Sequence, residues 1–187
     1  MKNVILYLIG FPGVGKLSTA REMCRRYPSF KVIDNHIPAD VIFSFSKDVS
    51  NPRHGEYRDK VRRLMLEAIA ELARPEESFI LTNVLFRGEN SWYEDVRRLA
   101  EKRSSLFIPV VLTCARDENK RRIASPARLE KFKTLDEQYV DEAFCAGCVD
   151  FDHPNRIVLD TTFLSIPEAA DRILKIAEEK VHARDGI

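Results

Sequence analysis

With 187 residues the chain has room for one domain with a sizeable core and not for two of ordinary size. Its 44% hydrophobic and 32% charged residues exclude a disordered or fibrous polymer, and a net charge of +1 gives no global pull toward nucleic acid or an anionic membrane. No apolar run approaches the length that spans a bilayer, and Met1-Lys2-Asn3 leads into a strand rather than a secretory leader, so a soluble, cytoplasmic protein is expected.

Short β-branched or aromatic runs at Val4–Ile9, Phe30–Ile33, Phe79–Leu81, Leu106–Leu112 and Ile157–Leu159 read as strands. They lack polar alternation, which suits strands covered on both faces, as in a parallel sheet. Helices are expected at Leu17–Arg26, about Gly55–Ala73, Ser91–Lys102, Asp117–Ala124, Thr134–Ala143 and Pro167–Val181. The last has the clearest start: Ser165 with Glu168 three residues on forms a capping box ahead of an apolar stripe. Strands alternating with helices predict an α/β doubly wound parallel sheet with helices in layers on both faces, folded as a single domain over 1–187. No internal repeat, low-complexity tract or linker interrupts it.

The first strand runs into Gly10-Phe11-Pro12-Gly13-Val14-Gly15-Lys16, which is G-x-x-x-x-G-K between a strand and a helix. Three of the chain's seven glycines fall in this one loop, a concentration that a mere turn does not need. Glycines let consecutive N–H groups converge on a phosphate, and the following helix and Lys16 add positive charge. Leu17 follows where the pattern has the Ser or Thr that holds Mg²⁺, and Ser18 and Thr19 come one and two positions late.

In such sheets ligands sit outside the carboxyl ends of the strands. The residues that follow the strands are therefore the functional shortlist: the phosphate loop, Asp34-Asn35-His36, Thr82-Asn83, Cys114-Ala115-Arg116 and Asp160-Thr161-Thr162. Asp34 can orient an acceptor hydroxyl and take its proton, or cap the helix behind it. His36 can contact substrate or bond locally. Between Arg116 and Lys133 seven cations face three acids, with a break at Ser125-Pro126-Ala127, so a hinged basic lid is expected over about 116–133. Arg122 and Arg128 flank that break and are expected to meet phosphate; Arg58 and Arg62, one turn apart, are expected to hold an acceptor. Cys145-Ala146-Gly147-Cys148 has metal or redox spacing without a second ligand pair, and the two read as buried or free thiols near a helix end.

Over nearly its full length the chain resembles P-loop kinases of the adenylate kinase, shikimate kinase and gluconate kinase type. Leu17-Ser18 resembles the hydroxyl offset of adenylate kinases, Asn83 to Arg87 resembles their Asp-Gly-Phe-Pro-Arg segment with Asn for Asp, and Arg121 and Arg122 resemble the start of their lid. Asp34 resembles the catalytic aspartate of shikimate-type kinases. The overall look is closest to uncharacterised bacterial P-loop proteins carrying Gly-Lys-Leu-(Ser/Thr) and a later Asn-His, here Asn35-His36.

The resemblance implies a five-stranded P-loop NTPase fold of the nucleoside-monophosphate-kinase kind, strand order 2-3-1-4-5. It implies an ATP-dependent phosphotransferase using Mg²⁺, a kinase acting on a small hydroxylated or phosphorylated acceptor, with an acceptor region about 35–75. ATP would lie on Gly10, Gly13, Val14, Gly15, Lys16, Leu17, Ser18 and Thr19, with Arg116 and Thr161 beside it. Lys16, Asp34, Arg122 and Arg128 would be catalytic; Asp34, His36, Arg58, Arg62, Asn83 and Arg87 would bind the acceptor; Ser18 and Asp34 would hold the metal, partly through water. A weakly catalytic nucleotide-binding regulator and a kinase of RNA ends are the alternatives. A monomer or homodimer without a membrane or nucleic-acid partner is expected.

Overall fold

The computed structural model describes residues 1–48, 50–88, 90–124, 137–147 and 151–186. Arg128, Cys148, the Ser125-Pro126-Ala127 break and the rest of the lid from 125 to 133 lie outside the described residues.

Five parallel strands form one sheet in the order β2-β3-β1-β4-β5: β1 (Val4–Ile9), β2 (Phe30–Ile33), β3 (Ser78–Asn83), β4 (Leu106–Thr113) and β5 (Ile157–Asp160). The central strand β1 pairs Leu6 with Ile80 on one side and Ile108 on the other. Every residue of β1 and β3 is buried, as their continuous apolar runs require.

Side chains alternate across β1, and this sorts the core into two halves. Val4, Leu6 and Leu8 pack with Ala20 and Met23 of α1 (Lys16–Arg26) and Ala169, Ala170, Ile173 and Ala177 of α7 (Ile166–Asp185). Ile5, Tyr7 and Ile9 pack against Leu66 of α3 (Arg53–Leu72) and Tyr93, Val96 and Leu99 of α4 (Asn90–Lys102). The result is three layers with the sheet in the middle. Two shorter helices, α2 (Ile37–Phe43) and α5 (Arg116–Ile123), leave the ends of β2 and β4, and α6 (Glu137–Ala146) packs on α5.

The capping box at α7 is present: Ser165 Oγ accepts from Glu168 N, and the Glu168 carboxylate accepts from Ser165 N at 2.8 Å. By contrast α1 starts directly from Gly15, which sits at φ 97°, with no side-chain cap. Its first N–H groups are left to whatever occupies the space in front of them.

Candidate functional site

The loop between β1 and α1 is held in an unusually tight space. A side chain at Gly10 would put Cβ 2.3 Å from the Leu112 carbonyl of the neighbouring strand, and one at Gly13, at φ 93°, would lie 2.8 Å from Asn119 Nδ2. Only glycine lets the chain pass here and turn back. Lys16 is buried, and its ammonium donates to Gly10 O at 2.7 Å and Phe11 O at 2.9 Å, folding the loop around its own cation. Val14 and Thr19 are buried behind the loop, whereas Gly13, Gly15, Lys16, Leu17 and Ser18 line a cleft of about 870 Å³. An uncapped helix start, a lysine and glycine amides border one cleft, a set with the chemistry that an anion needs.

The ends of β2 and β3 supply the cleft's opposite wall. The Asp34 carboxylate accepts from Thr82 Oγ1 at 3.0 Å and lies 3.1 Å from His36 Nδ1. An ionised carboxylate only accepts, so Nδ1 is the donor in that contact. Asn83 is buried beneath: its amide donates to Tyr7 OH at 3.0 Å, and its carbonyl accepts from Asn35 Nδ2 at 3.3 Å and Val84 N at 2.9 Å. These bonds fix the loop that carries Asp34 through two strand ends at once. Arg58 and Trp92 extend the wall, with the guanidinium 5.3 Å from the ring centre.

The third wall comes from α5 and the loop after β5. Glu118, Arg121 and Arg122 border the cleft, as do Phe163, Leu164 and Ile166. Hydrogen bonds from Arg121 and then Arg122 hold the Glu118 carboxyl far below the usual carboxylate range, at about 2. Arg122 also donates to Thr161 Oγ1 at 3.0 Å and Thr161 O at 2.6 Å, tying α5 to the loop after β5. Phe163 is 96% exposed, an apolar ring offered to solvent at the cleft's edge.

No family model matches this chain, and no curated protein sequence matches it. Solved structures do. The chain is similar to a gluconokinase from Sinorhizobium meliloti 1021 at 12% identity and a TM-score of 0.64, covering 97% of both chains. It is similar to a sugar kinase from Janibacter sp. HTCC2649 at 16% identity and a TM-score of 0.63, covering 94% of this chain and 95% of that one. It is also similar to the Mycobacterium tuberculosis APS kinase in complex with AMPPNP and APS, at 16% identity and a TM-score of 0.59, covering 95% and 98%. The chain has the P-loop kinase fold.

Within that fold, the cleft gathers some of the residues expected from sequence and not others. Lys16, Ser18, Asp34, His36, Arg58, Asn83 and Arg122 all border it. Arg62 is instead buried 4.1 Å from the Trp92 ring with Asp95 at 2.6 Å, in a small apolar pocket beside the cleft. Arg116 lies outside, paired with Asp141 at 2.6 Å, and Arg87 lies against Gly147. Thr161 is buried behind the loop rather than on the cleft surface. Trp92 and Glu118 border the cleft and Asn119 braces its loop without any motif that marks them, whereas Phe163 ends the Thr161–Phe163 loop expected from sequence to lie beside adenine. The lone tryptophan at the start of α4 is the one such signal visible in sequence.

Mg²⁺, which the fold implies, suits the residues present. It is a hard cation that takes one or two protein oxygens and completes its shell with water and phosphate. Ser18 and Asp34 offer hard oxygen donors on the same cleft, and among the described residues no group of three His, Cys, Asp or Glu forms an all-protein cage.

Proposed function

We propose that this chain is an ATP-dependent phosphotransferase acting on a small hydroxylated or phosphorylated acceptor. The observation that carries the reading is the placement of Lys16 and Asp34 on one cleft, a phosphate loop on one side and a buttressed carboxylate on the other. The M. tuberculosis APS kinase, solved in complex with AMPPNP and APS, supports it by likeness of fold.

In this reading the ATP phosphates lie on the amides of Gly13, Gly15, Lys16 and Ser18, with adenine between α5 and Phe163. The acceptor lies against Asp34, His36, Arg58 and Trp92, where Arg58 meets any anionic group it carries. Asp34 takes the acceptor's hydroxyl proton as that oxygen bonds to the γ-phosphorus, and the bridging oxygen leaves with ADP. Lys16 and the helix start neutralise charge on the phosphates. Ser18 and Asp34 would hold Mg²⁺, partly through water, and the ion would supply positive charge against that of the phosphates. In the same reading residues 35–75 form the acceptor region of a single domain.

Leu17 in the metal-ligand position favours a second reading, a nucleotide-binding regulator with little turnover. Asp34 separates the two, because a binder needs no base. ATP consumption is measured against nucleosides, nucleotides, sugars, shikimate-like acids and aminoglycoside-type alcohols. For the best acceptor, Asp34→Ala should leave ATP affinity within about threefold and lower turnover by about a hundredfold or more. Turnover unchanged by that substitution sinks the proposed mechanism.

A further inference from the structure

Asn119 is the feature of the cleft's surroundings that neither the motif nor the proposed chemistry uses. It sits on α5, fully buried, and donates from Nδ2 to Pro12 O at 2.8 Å, with Cys114 Sγ at 3.4 Å. Its Oδ1 is buried without a hydrogen-bond partner among the described residues. A buried unpaired acceptor destabilises a fold, and a leucine would fill this space without one. The gain from Asn at this position therefore lies in the bond to Pro12.

That bond has a directional consequence. A trans peptide unit is planar, so its C=O and N–H point opposite ways, and the chain has no cis peptide bond among its described residues. Drawing Pro12 O toward α5 turns Gly13 N–H away from α5. Gly13 borders the cleft, and its N–H has no acceptor among the described residues. Thr161 makes a similar contact two peptide units later, but its hydroxyl has one proton to give, and its oxygen is nearer to Thr113 O (2.9 Å) than to Val14 O (3.3 Å). The role therefore falls to Asn119.

We propose that Asn119 is a positioning residue of the phosphate loop, fixing the Pro12–Gly13 peptide so that Gly13 N–H meets a nucleotide phosphate. The inference rests on the reading that this loop binds nucleotide. It also explains why Gly13 has no side chain: α5 must approach closely enough for the bond to form. Because α5 carries Glu118, Arg121 and Arg122 to the cleft, the same contact holds that wall in register with the phosphates.

The test compares Asn119→Leu and Asn119→Asp with the unsubstituted chain by ADP binding, adenosine binding and thermal melting. Losing one hydrogen bond to a charged group predicts ADP binding about ten- to a hundredfold weaker, adenosine binding unchanged, and Asn119→Leu melting at or above the unsubstituted chain. Unchanged ADP binding, or ADP and adenosine weakened alike with a lowered melting temperature, overturns the proposal. A second measurement needs no variant: in the ¹⁵N-labelled chain, ADP should shift the Gly13 amide strongly. A silent Gly13 beside responding Gly15 and Lys16 amides overturns the proposal even where the variants do not fold. A chain that binds neither ADP nor ATP overturns the nucleotide reading, and the inference with it.

Discussion

Arg103 is a cation whose work lies away from the cleft. It is buried at the end of α4 and donates to four carbonyls, of Ile69, Ala73, Arg74 and Glu77, at 2.9–3.2 Å. Its guanidinium thereby closes the C-terminal end of α3, where the helix leaves carbonyls without partners and a partial negative charge. Removing it strands several buried acceptors, so Arg103→Ala should cost about 2–4 kcal/mol in denaturant unfolding. Arg103→Lys should recover little, since one ammonium cannot reach a forked set of acceptors. His153 makes a different prediction. Burial first, then the nearby Arg97 and Lys180, pushes its pKa below the ordinary value, and its ring packs edge-on against Phe107. The unfolded chain therefore binds a proton there more readily than the folded one. Stability is unaffected above about pH 6.5 and falls as pH drops through the unfolded pKa toward the lowered folded one. Melting between pH 7.5 and 5 should show this fall, and His153→Gln should flatten it. Neither residue is legible from sequence: a run of ordinary arginines and a loop histidine carry no local mark of what the fold brings over them.

Helices and strands are legible wherever local chemistry and the fold agree. All five strands begin and end within two residues of the boundaries their apolar runs suggest: β1, β3 and β4 are covered on both faces and announce themselves by composition, while the edge strands β2 and β5 keep short β-branched runs although part of each is exposed. The Ser165–Glu168 box marks the start of α7 for an equally local reason, and Ser165→Ala should cost about 1 kcal/mol in thermal or chemical unfolding. What escapes is α2. It is only seven residues long, and Pro38 near its start reads as a loop signal although proline fits a first turn well. Boundaries move where glycine acts in a conformation sequence does not show. Lys16 joins α1 because Gly15 takes the left-handed cap, and α6 runs on to Ala146 because Gly147, at φ 76°, ends it.

At the scale of the molecule, the rule that ligands gather at the carboxyl ends of parallel strands is enough to put Asp34, His36 and Asn83 beside the phosphate loop, and the cleft holds all three. The sheet order explains the success. With β1 between β3 and β4, and β2 beyond β3, the loops after β1, β2 and β3 must open on one edge. Arginines are harder to place, because a cation on a helix reaches the cleft or a carboxylate according to which face turns inward. Arg58 borders the cleft, while Arg62, one turn on, is taken by Asp95. Among the described residues no helix is long and apolar enough to cross a membrane. The most direct measurement is a calorimetric titration of Mg-ATP into the chain and into Lys16→Ala. Saturable one-site binding that weakens about fiftyfold or more in Lys16→Ala is the expected result, since that substitution removes the one full positive charge within the loop. Absence of binding, or equal affinity in both chains, would contradict a nucleotide site at this loop.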